Sequence, residues 1–422
     1  MYYFNIKRGS RLTTNRWFKA VKLLGIMLLL LPLLTGCWDR LEIEERAVVL
    51  GISVDVAGPE ALKEEDEVSH IQGKFPAPEK DLIRVAVQIA LPGRIPLGPG
   101  EAISGGKGSQ ATVWVLNVVG HTIDDAIMNL QQQISAKLFF GHLRVIVISE
   151  AVAKKGMQNV NDYFRRNSEV RRMAWMMISK GNAEALMKAA PKLERVPTLY
   201  LISTMDSAVK MGKFPNDFVG NFWSNSSKKG QEGFLPYMDI KKEQNVEIMG
   251  LAYFKGSKLA GVTKPFEIAG YMGIKGISKS GYRGFVSLDG PSDNVTIYAT
   301  SRKSKIEAQI KDNRPHITVS VFTEISLEEK INERIPADNS DILKKIEQTN
   351  KESLVKTYQD LIRKTQKNGS DIFGFGEYVR AKQPQYWNQN IRTKDRWGEM
   401  YKDISVDVKV MTRIRRVGMK AK

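Results

Sequence analysis

Apolar and polar residues alternate in several short stretches of the first half of the chain, and this pattern predicts β-strands. Residues 46–56 are the clearest case, because their apolar residues share one face with a period of two: Val48, Leu50, Ile52, Val54 and Val56. Further strands are predicted at residues 82–90, 112–119, 143–149 and 172–179. The charged, proline-bearing segment 58–80 is predicted to be a loop.

Helical spacing follows in the segments between these strands. Thr122 and Asp125 have the spacing of a helix-starting capping box, and the apolar residues after them recur three or four positions apart: Ile123, Ile127, Leu130 and Ile134. Shorter helices are predicted at residues 150–155, 160–166 and 183–190. Strands and helices that alternate in this way predict an N-terminal mixed sheet with helices packed on it.

The second half of the chain has a different pattern. Two strands are predicted within 247–263, about a Lys255-Gly256-Ser257 turn, and others at 295–299, 304–310, 316–324 and 404–414, with 312–315 as a turn. The long apolar stripe of residues 341–367 predicts one helix of about 40 Å. We therefore expect a C-terminal antiparallel sheet with one long helix. The fold class is α+β (mixed α/β), in several domains.

Domain boundaries follow from changes in composition. We expect a leader at 1–36, an N-terminal α/β domain at 37–192, a connector or small middle domain at 193–245, and a C-terminal α+β domain at 246–422. Residues 214–236 are rich in Pro, Asn, Ser, Gly and Lys, which is typical of a connection. Their aromatic residues predict that this connection is packed: Phe218, Phe222, Trp223 and Phe234.

The beginning of the chain has the pattern of an export signal. Six basic residues and no acidic residue precede Cys37, an apolar run extends over 23–34, and the small residues Thr35 and Gly36 follow. The run contains Gly25 and Pro32 and is shorter than the roughly 20 apolar residues of a membrane span. The order of these segments favours a lipoprotein signal, in which the Cys37 thiol receives diacylglycerol, over a transmembrane anchor.

Charge and residue counts narrow the possible functions. The formal charge is +18, but export and the lack of a recognisable finger or RNA motif argue against nucleic acid as a partner. The basic residues are scattered in short clusters such as Arg165-Arg166 and Arg171-Arg172, which favours solvated surfaces. Together they would still attract an anionic lipid surface, by about 1 kcal/mol per residue near the headgroups.

The sequence contains no pattern that predicts catalysis. Cys37 is the only cysteine, so with it acylated neither a thiol nucleophile nor a thiolate metal site remains. His70, His121, His142 and His316 are too far apart in sequence for a helical metal pair. We therefore expect a protein that is not an enzyme, with no catalytic, cofactor-binding or metal-binding residues and no cofactor.

Several segments, in order, resemble the Ger(x)C family of spore germination lipoproteins. The more specific matches are 36–43 (Gly-Cys-Trp-Asp-Arg-Leu-Glu-Ile) and 371–376 (Asp-Ile-Phe-Gly-Phe-Gly). The weaker matches are 120–126, 138–144, 165–172 and 250–256. In 371–376 the two glycines beside Phe373 and Phe375 predict a tight turn with both rings buried rather than a binding site.

The resemblance implies a C subunit of a nutrient germinant receptor, anchored through Cys37 on the outer face of the spore inner membrane. It implies that two integral membrane subunits are the partners and that the complex triggers germination. It also implies that small-molecule nutrients act on the complex, and this action can be indirect for the C subunit. The ligand-binding residues stay unknown. A solute-binding lipoprotein that serves a transporter is the alternative, and a cell-wall hydrolase is a third possibility for which no acid/base or metal constellation was found.

Overall fold

Four strands with apolar residues on both faces lie at the centre of a large sheet. A computed structural model describes residues 11–30, 45–63, 82–91, 112–191, 194–278, 281–288, 293–330 and 339–416. In it, the strands at 46–56, 145–149, 175–179 and 234–240 run parallel. The strands of this sheet are β1 (Arg46–Val56), β2 (Ile83–Ala90), β3 (Val113–Gly120), β4 (Lys137–Phe139), β5 (Val145–Ser149), β6 (Trp175–Ser179), β7 (Phe234–Ile240), β8 (Val246–Lys255) and β9 (Lys258–Val262).

Antiparallel strands extend the parallel centre on both sides. The order is β3-β2-β1-β5-β6-β7-β8-β9, with β4 beside β1. The helices α2 (Ile123–Gln132), α3 (Glu150–Lys155), α4 (Gln158–Arg166), α5 (Ala183–Lys188), α6 (Pro197–Lys210), α7 (Val219–Ser227) and α8 (Pro265–Ile274) lie in the connections. A further helix, α1 (Arg11–Leu30), belongs to a separate unit, Met1–Arg46, whereas Ala47–Lys422 form one compact unit.

Helices cover both faces of the large sheet because β5 and β6 are apolar without alternation. Val145 and Val147 join one core with residues of α5, α6 and α8, while Ile146 and Ile148 join another with residues of α2, α3, α4 and α7. Burial on both faces is the usual reason that parallel strands read as continuous apolar runs. The N-terminal mixed sheet with packed helices is therefore confirmed.

A second, smaller sheet is formed by the C-terminal part of the chain. Its strands, in spatial order, are β10 (Arg283–Ser287), β11 (Asn294–Lys311), β12 (Arg314–Lys330) and β13 (Ser405–Arg416). The helices of this part are α9 (Ser340–Lys367), α10 (Phe375–Lys382), α11 (Pro384–Tyr386) and α12 (Lys394–Tyr401), and Trp387–Ile391 form a π-turn. The long helix predicted at 341–367 is confirmed.

The small sheet is mixed rather than wholly antiparallel. β13 runs parallel to β12, from His316 opposite Ser405 to Ile325 opposite Ile414. The long connection that contains α9 to α12 returns the chain to the start of the sheet, and such a crossover makes the next strand parallel. The expected antiparallel arrangement is correct for β10, β11 and β12 and wrong for β13.

Two further differences concern local structure. The strands predicted at 295–299 and 304–310 are one strand, β11, with register shifts between Thr296 and Ile297 and between Ala299 and Ser301. The turn predicted at 312–315 contains only Asp312 and Asn313, because Pro315 already pairs with Ile310 in the ladder.

Segment 193–245 contains α6, α7 and β7. The division of the chain into domains stays a prediction.

Candidate functional site

Cys37, the predicted acylation site, lies outside the described residues, as does His70. Among the residues that are described, no helix combines the length and the apolar content needed to cross a bilayer.

The remaining histidines lie on separate elements. The backbone N–H of His121 donates to Asp125 Oδ2 (2.8 Å), His142 packs edge-on against Phe139, and His316 Nε2 lies 3.1 Å from Asp407 Oδ2. Over the described ranges, no group of three or more His, Cys, Asp or Glu residues is arranged to hold a metal ion. The predicted helix start is confirmed, since Thr122 Oγ1 accepts from the Asp125 N–H (3.1 Å). The Asp125 carboxylate accepts from the His121 N–H instead of completing the capping box with Thr122.

The most ordered polar arrangement is a set of contacts among segments 226–233, 370–377 and α12, which we call the buried joint. At its centre the Asp371 carboxylate accepts from the N–H groups of Gly374 (2.8 Å) and Gly376 (2.9 Å) and from Trp397 Nε1 (3.0 Å). Burial raises the pKa of Asp371 to about 6, and these donors act in the opposite direction. Three donors occupy the carboxylate, so it organises the loop around it.

Stacked aromatic rings surround this carboxylate. Phe373 and Phe375 are fully buried, and their ring centroids are 5.1 Å apart. The cluster continues through neighbouring rings, namely Tyr271, Tyr401, Trp397 and Trp387. The expectation that both phenylalanine rings are buried is therefore confirmed. Such a cluster contributes mainly by burying apolar area.

The two glycines of segment 371–376 serve different purposes. Gly374 adopts φ 77°, a left-handed conformation that begins α10 and that residues with a Cβ rarely adopt. Gly376 allows close approach, because a Cβ at this position would lie 2.5 Å from Trp397 Nε1 and 2.6 Å from Gly230 Cα. The predicted tight turn is confirmed at Gly374.

Hydrogen bonds across the buried joint connect distant parts of the sequence. The Glu232 N–H donates to Asp371 O (2.8 Å), and the Gly230 N–H donates to Glu377 Oε1 (2.8 Å). Glu232 also forms an ion pair with Lys394 (2.7 Å), whose charge opposes the rise that burial causes in the pKa of Glu232. The segment before β7 is thus fixed to the segments after α9.

Two more ionisable groups are buried near this joint. Lys275 Nζ donates to Phe373 O (2.8 Å), and burial lowers the pKa of Lys275. Burial raises the pKa of Asp217 to about 7, and its Oδ2 has no hydrogen-bond partner among the described residues. An acidic group with this environment is costly to ionise.

A surface crevice lies at the carboxyl end of β1. It encloses about 1010 Å³, counting the space open to solvent, and its lining includes Val56, His121, Ile123, Lys155 and Val160. In open α/β sheets, ligands usually bind at the carboxyl ends of the strands. The crevice combines apolar side chains with the polar side chains of His121 and Lys155.

The sequence did not predict the role of Asp371, Glu232 or Lys394. A signal for Asp371 was present, since an acidic residue directly before an aromatic and glycine-rich segment must either reach solvent or be hydrogen-bonded. Nothing in the sequence pairs Glu232 with Lys394, because residues so far apart meet only through the fold.

Comparison with known proteins identifies both halves of the chain. Residues 39–240 match the family model described as the spore germination protein N-terminal domain, and residues 249–418 match the spore germination B3/GerAC-like C-terminal model. The chain is 25% identical over 415 residues to spore germination protein KC of Bacillus subtilis, covering 94% of this chain and 95% of that protein. It is 26% identical to spore germination protein GerQC of Bacillus cereus, covering 73% and 85%.

One solved structure shares the fold. The crystal structure of the GerBC protein aligns with a TM-score of 0.52 and 18% identity, over 80% of this chain and 95% of that chain. At this identity the likeness concerns the fold alone. The two family models, which together cover most of the sequence in the expected order, show that this chain belongs to the GerAC family of spore germination proteins.

Proposed function

We propose that this protein is a non-enzymatic, lipid-anchored subunit of a nutrient germinant receptor in the spore inner membrane. The observation that carries the proposal is the match to both family models along one chain, 39–240 and then 249–418. A diacylglycerol group at Cys37 would hold the protein on the extracytoplasmic face. Two integral membrane subunits of the receptor would be its partners.

The chemistry of the described residues supports a structural rather than a catalytic role. The most buried carboxylate, Asp371, is occupied by three donors, and the ion pair of Glu232 and Lys394 connects segments within the fold. These groups hold segments together, whereas a general acid or nucleophile needs access to a substrate. A receptor subunit of this kind would act through contacts with its partners.

Dipicolinate release from spores that lack the gene tests the proposal. The spores are exposed to a panel of amino acids, sugars and nucleosides and, separately, to a non-nutrient trigger, with the complemented strain as control. We expect the response to some nutrients to be lost while the non-nutrient response is unchanged. An unchanged response to every nutrient, in a strain without other receptors of this family, would contradict the proposed function.

The solute-binding alternative has one observation in its favour, which is the crevice lined by His121 and Lys155. Solute-binding proteins usually have two similar lobes around a cleft. The two sheets described here differ in strand order, in direction and in the helices that cover them. Calorimetric titration with the nutrients that trigger germination separates the two functions, since a solute carrier must bind its solute without the partner subunits.

A further inference from the structure

The place where the anchored chain enters the fold limits how the protein can face the membrane. The compact unit begins at Ala47, at the start of β1, ten residues after Cys37. Ten residues extend at most about 35 Å. β1 itself is about 30 Å long from Ala47 to its carboxyl end. The carboxyl edge of the large sheet could therefore approach the membrane only with this segment almost fully stretched.

The start of β1 lies on one edge of the large sheet together with the starts of other strands. The Arg144 N–H donates to Leu50 O (3.1 Å), and the Trp175 N–H donates to Arg144 O (2.8 Å). Trp114, near the start of β3, pairs with Ile89, which in turn pairs with Val49. We call this side, with the short strand β4 and the residues directly before β3, β5 and β6, the amino edge.

The amino edge is rich in positive charge. Its exposed cations are Lys137, Arg144, Arg171, Arg172 and Arg195, and none of them forms an ion pair with a described carboxylate. Arg195 belongs to this edge because its carbonyl accepts from Thr112 Oγ1, directly before β3. Three acidic residues lie nearby, namely Glu45, Glu169 and Glu194, and the Glu169 carboxylate accepts from the Phe140 N–H. Because they are fewer than the five cations, the net charge of the edge is positive.

Large apolar side chains are exposed among these cations. Met173, which follows Arg171 and Arg172, is 65% exposed, Trp114 is 46% exposed and Leu199 is 43% exposed. Exposed apolar groups surrounded by basic residues are the usual composition of a surface that rests at a lipid interface. Tryptophan in particular is favoured at the level of the headgroups.

Some cations at the opposite edge of the sheet have carboxylate partners. Lys180 and Lys241 both contact the Asp239 carboxylate, at 3.3 and 3.2 Å, and Lys154 contacts Glu150 at 2.5 Å. The cations named at the amino edge have no such carboxylate partner among the described residues, so their charge is available to an external anion.

We propose that the amino edge rests on the anionic surface of the membrane that carries the lipid anchor, with Met173 at the headgroup level. This inference rests on the anchoring in the proposed function. The lipid at Cys37 holds the protein near the bilayer, and the amino edge sets its orientation. The crevice at the carboxyl end of β1 and the rest of that edge then face away from the membrane.

Vesicle binding by residues 38–422 tests the lipid contact without the anchor. This form retains the whole compact unit 47–422, which contains the apolar cores. We expect binding to phosphatidylglycerol vesicles, little binding to phosphatidylcholine vesicles, and weakening at high salt. The variant Arg144→Glu/Arg171→Glu/Arg172→Glu should bind at least about 100-fold more weakly, since each cation near the headgroups contributes roughly a factor of five.

A matched variant separates location from net charge. Lys303→Glu/Lys409→Glu/Arg413→Glu changes the same number of exposed charges on the outer face of the small sheet and should bind nearly as well as the unmodified protein. Equal weakening by both variants, or equal binding to the two kinds of vesicle, would overturn the proposal. Circular dichroism confirms that both variants are folded.

A single-thiol experiment tests the orientation. Residues 38–422 contain no cysteine, so Met173→Cys gives one labelling site. Met411→Cys on the small sheet is the matched control, because Met411 is 66% exposed and Met173 is 65% exposed. An environment-sensitive dye at residue 173 should show a blue shift on phosphatidylglycerol vesicles, and the same dye at residue 411 should not. The opposite result, or no shift at either position, would overturn the proposed orientation.

The vesicle and spore experiments separate this inference from the proposed function. Germination that persists without the gene contradicts the receptor role, whatever the vesicles show. A normal receptor role together with vesicle binding that ignores lipid charge contradicts the amino-edge inference alone. Loss of germination in the Arg144, Arg171 and Arg172 variant without any loss of vesicle binding would mean that a protein partner occupies this edge, and would equally overturn the lipid contact.

Discussion

At the residue scale, the buried carboxyl groups are the features that sequence patterns reveal least. Asp371 and Asp217 lie in segments that read as a glycine-rich turn and a polar connection, and only the fold shows that both are buried. The burial of Phe373 and Phe375 was predictable, because two large rings beside glycines have few alternatives. The partners of an acidic residue depend on which distant segments meet, and the local sequence does not contain that information.

Asp217 should make stability depend on pH. Its pKa is raised from 3.8 to about 7 by burial, so the unfolded chain loses this proton before the folded protein does, and stability falls as the pH rises from about 4 to about 7. Asp217→Asn has no such titration. Between about pH 5 and about pH 8, the free energy of unfolding of the variant should therefore rise by about 2–3 kcal/mol relative to the unmodified protein.

Denaturant unfolding at the two pH values measures this difference. Asp403→Asn, a change at an exposed residue, is the control and should show no comparable dependence. If the Asp217→Asn variant differs from the unmodified protein by the same amount at both pH values, Asp217 is already ionised in the folded protein and the prediction is wrong.

Gly376→Ala should lower the free energy of unfolding by about 3 kcal/mol, because the added Cβ would meet the Trp397 ring and the Gly230 backbone at 2.5–2.6 Å. Gly181→Ala is the matched control, since nothing lies within 4 Å of its Cβ position and its φ is not in the left-handed region. The control should be neutral or slightly stabilising. Thermal unfolding of the two variants measures the contrast, and equal midpoints would show that the joint can relax around residue 376.

At the scale of elements, the predictions succeeded where the apolar residues of a strand or helix recur with a clear period. β1 and α9 have the clearest periodicity, and both were predicted almost to the residue. Helix α6 was not predicted. It begins at Pro197, and its apolar residues do not recur at regular helical spacing. The parallel direction of β13 was not predictable from its own residues, since direction is set by the connection before it.

The turn between β11 and β12 gives a prediction at this scale. Asp312 and Asn313 have φ values of 47° and 56°, as expected for a two-residue hairpin turn, and asparagine tolerates this conformation better than β-branched residues do. Asn313→Val should lower the free energy of unfolding by about 1–2 kcal/mol, whereas Asn313→Gly should be neutral or stabilising. Thermal unfolding distinguishes the two, and a valine variant as stable as the glycine variant would exclude backbone strain at this turn.

At the scale of the whole molecule, the two family regions are not independent. The large sheet continues from β7 into β8, which lie in the first and the second matched region, and the buried joint ties segment 226–233 to α12. The sequence predicted which family the chain resembles, because several different short motifs of that family occur along it in the expected order. It could not predict this tight connection, which depends on pairs such as Glu232 and Lys394.

The lipid anchor is the remaining prediction at this scale. Cys37→Ala removes the thiol that would receive diacylglycerol, and the two acyl chains should contribute more to membrane binding than the amino edge does. We expect the amount of protein in the spore inner membrane fraction to fall at least about tenfold, because a charged surface alone gives reversible binding. Nutrient-triggered dipicolinate release should fall with it.

Thr35→Ala is the control, because it keeps a small residue before the cysteine and should leave both measurements unchanged. Incorporation of labelled palmitate into the unmodified protein, and not into the Cys37→Ala variant, would identify the acylated residue directly. If the Cys37→Ala protein stays in the membrane fraction and its spores respond normally, the anchor is dispensable. Contacts with the membrane surface and the partner subunits would then have to hold the protein by themselves. Adding Arg144→Glu/Arg171→Glu/Arg172→Glu to the Cys37→Ala protein would then show whether the amino edge supplies these contacts.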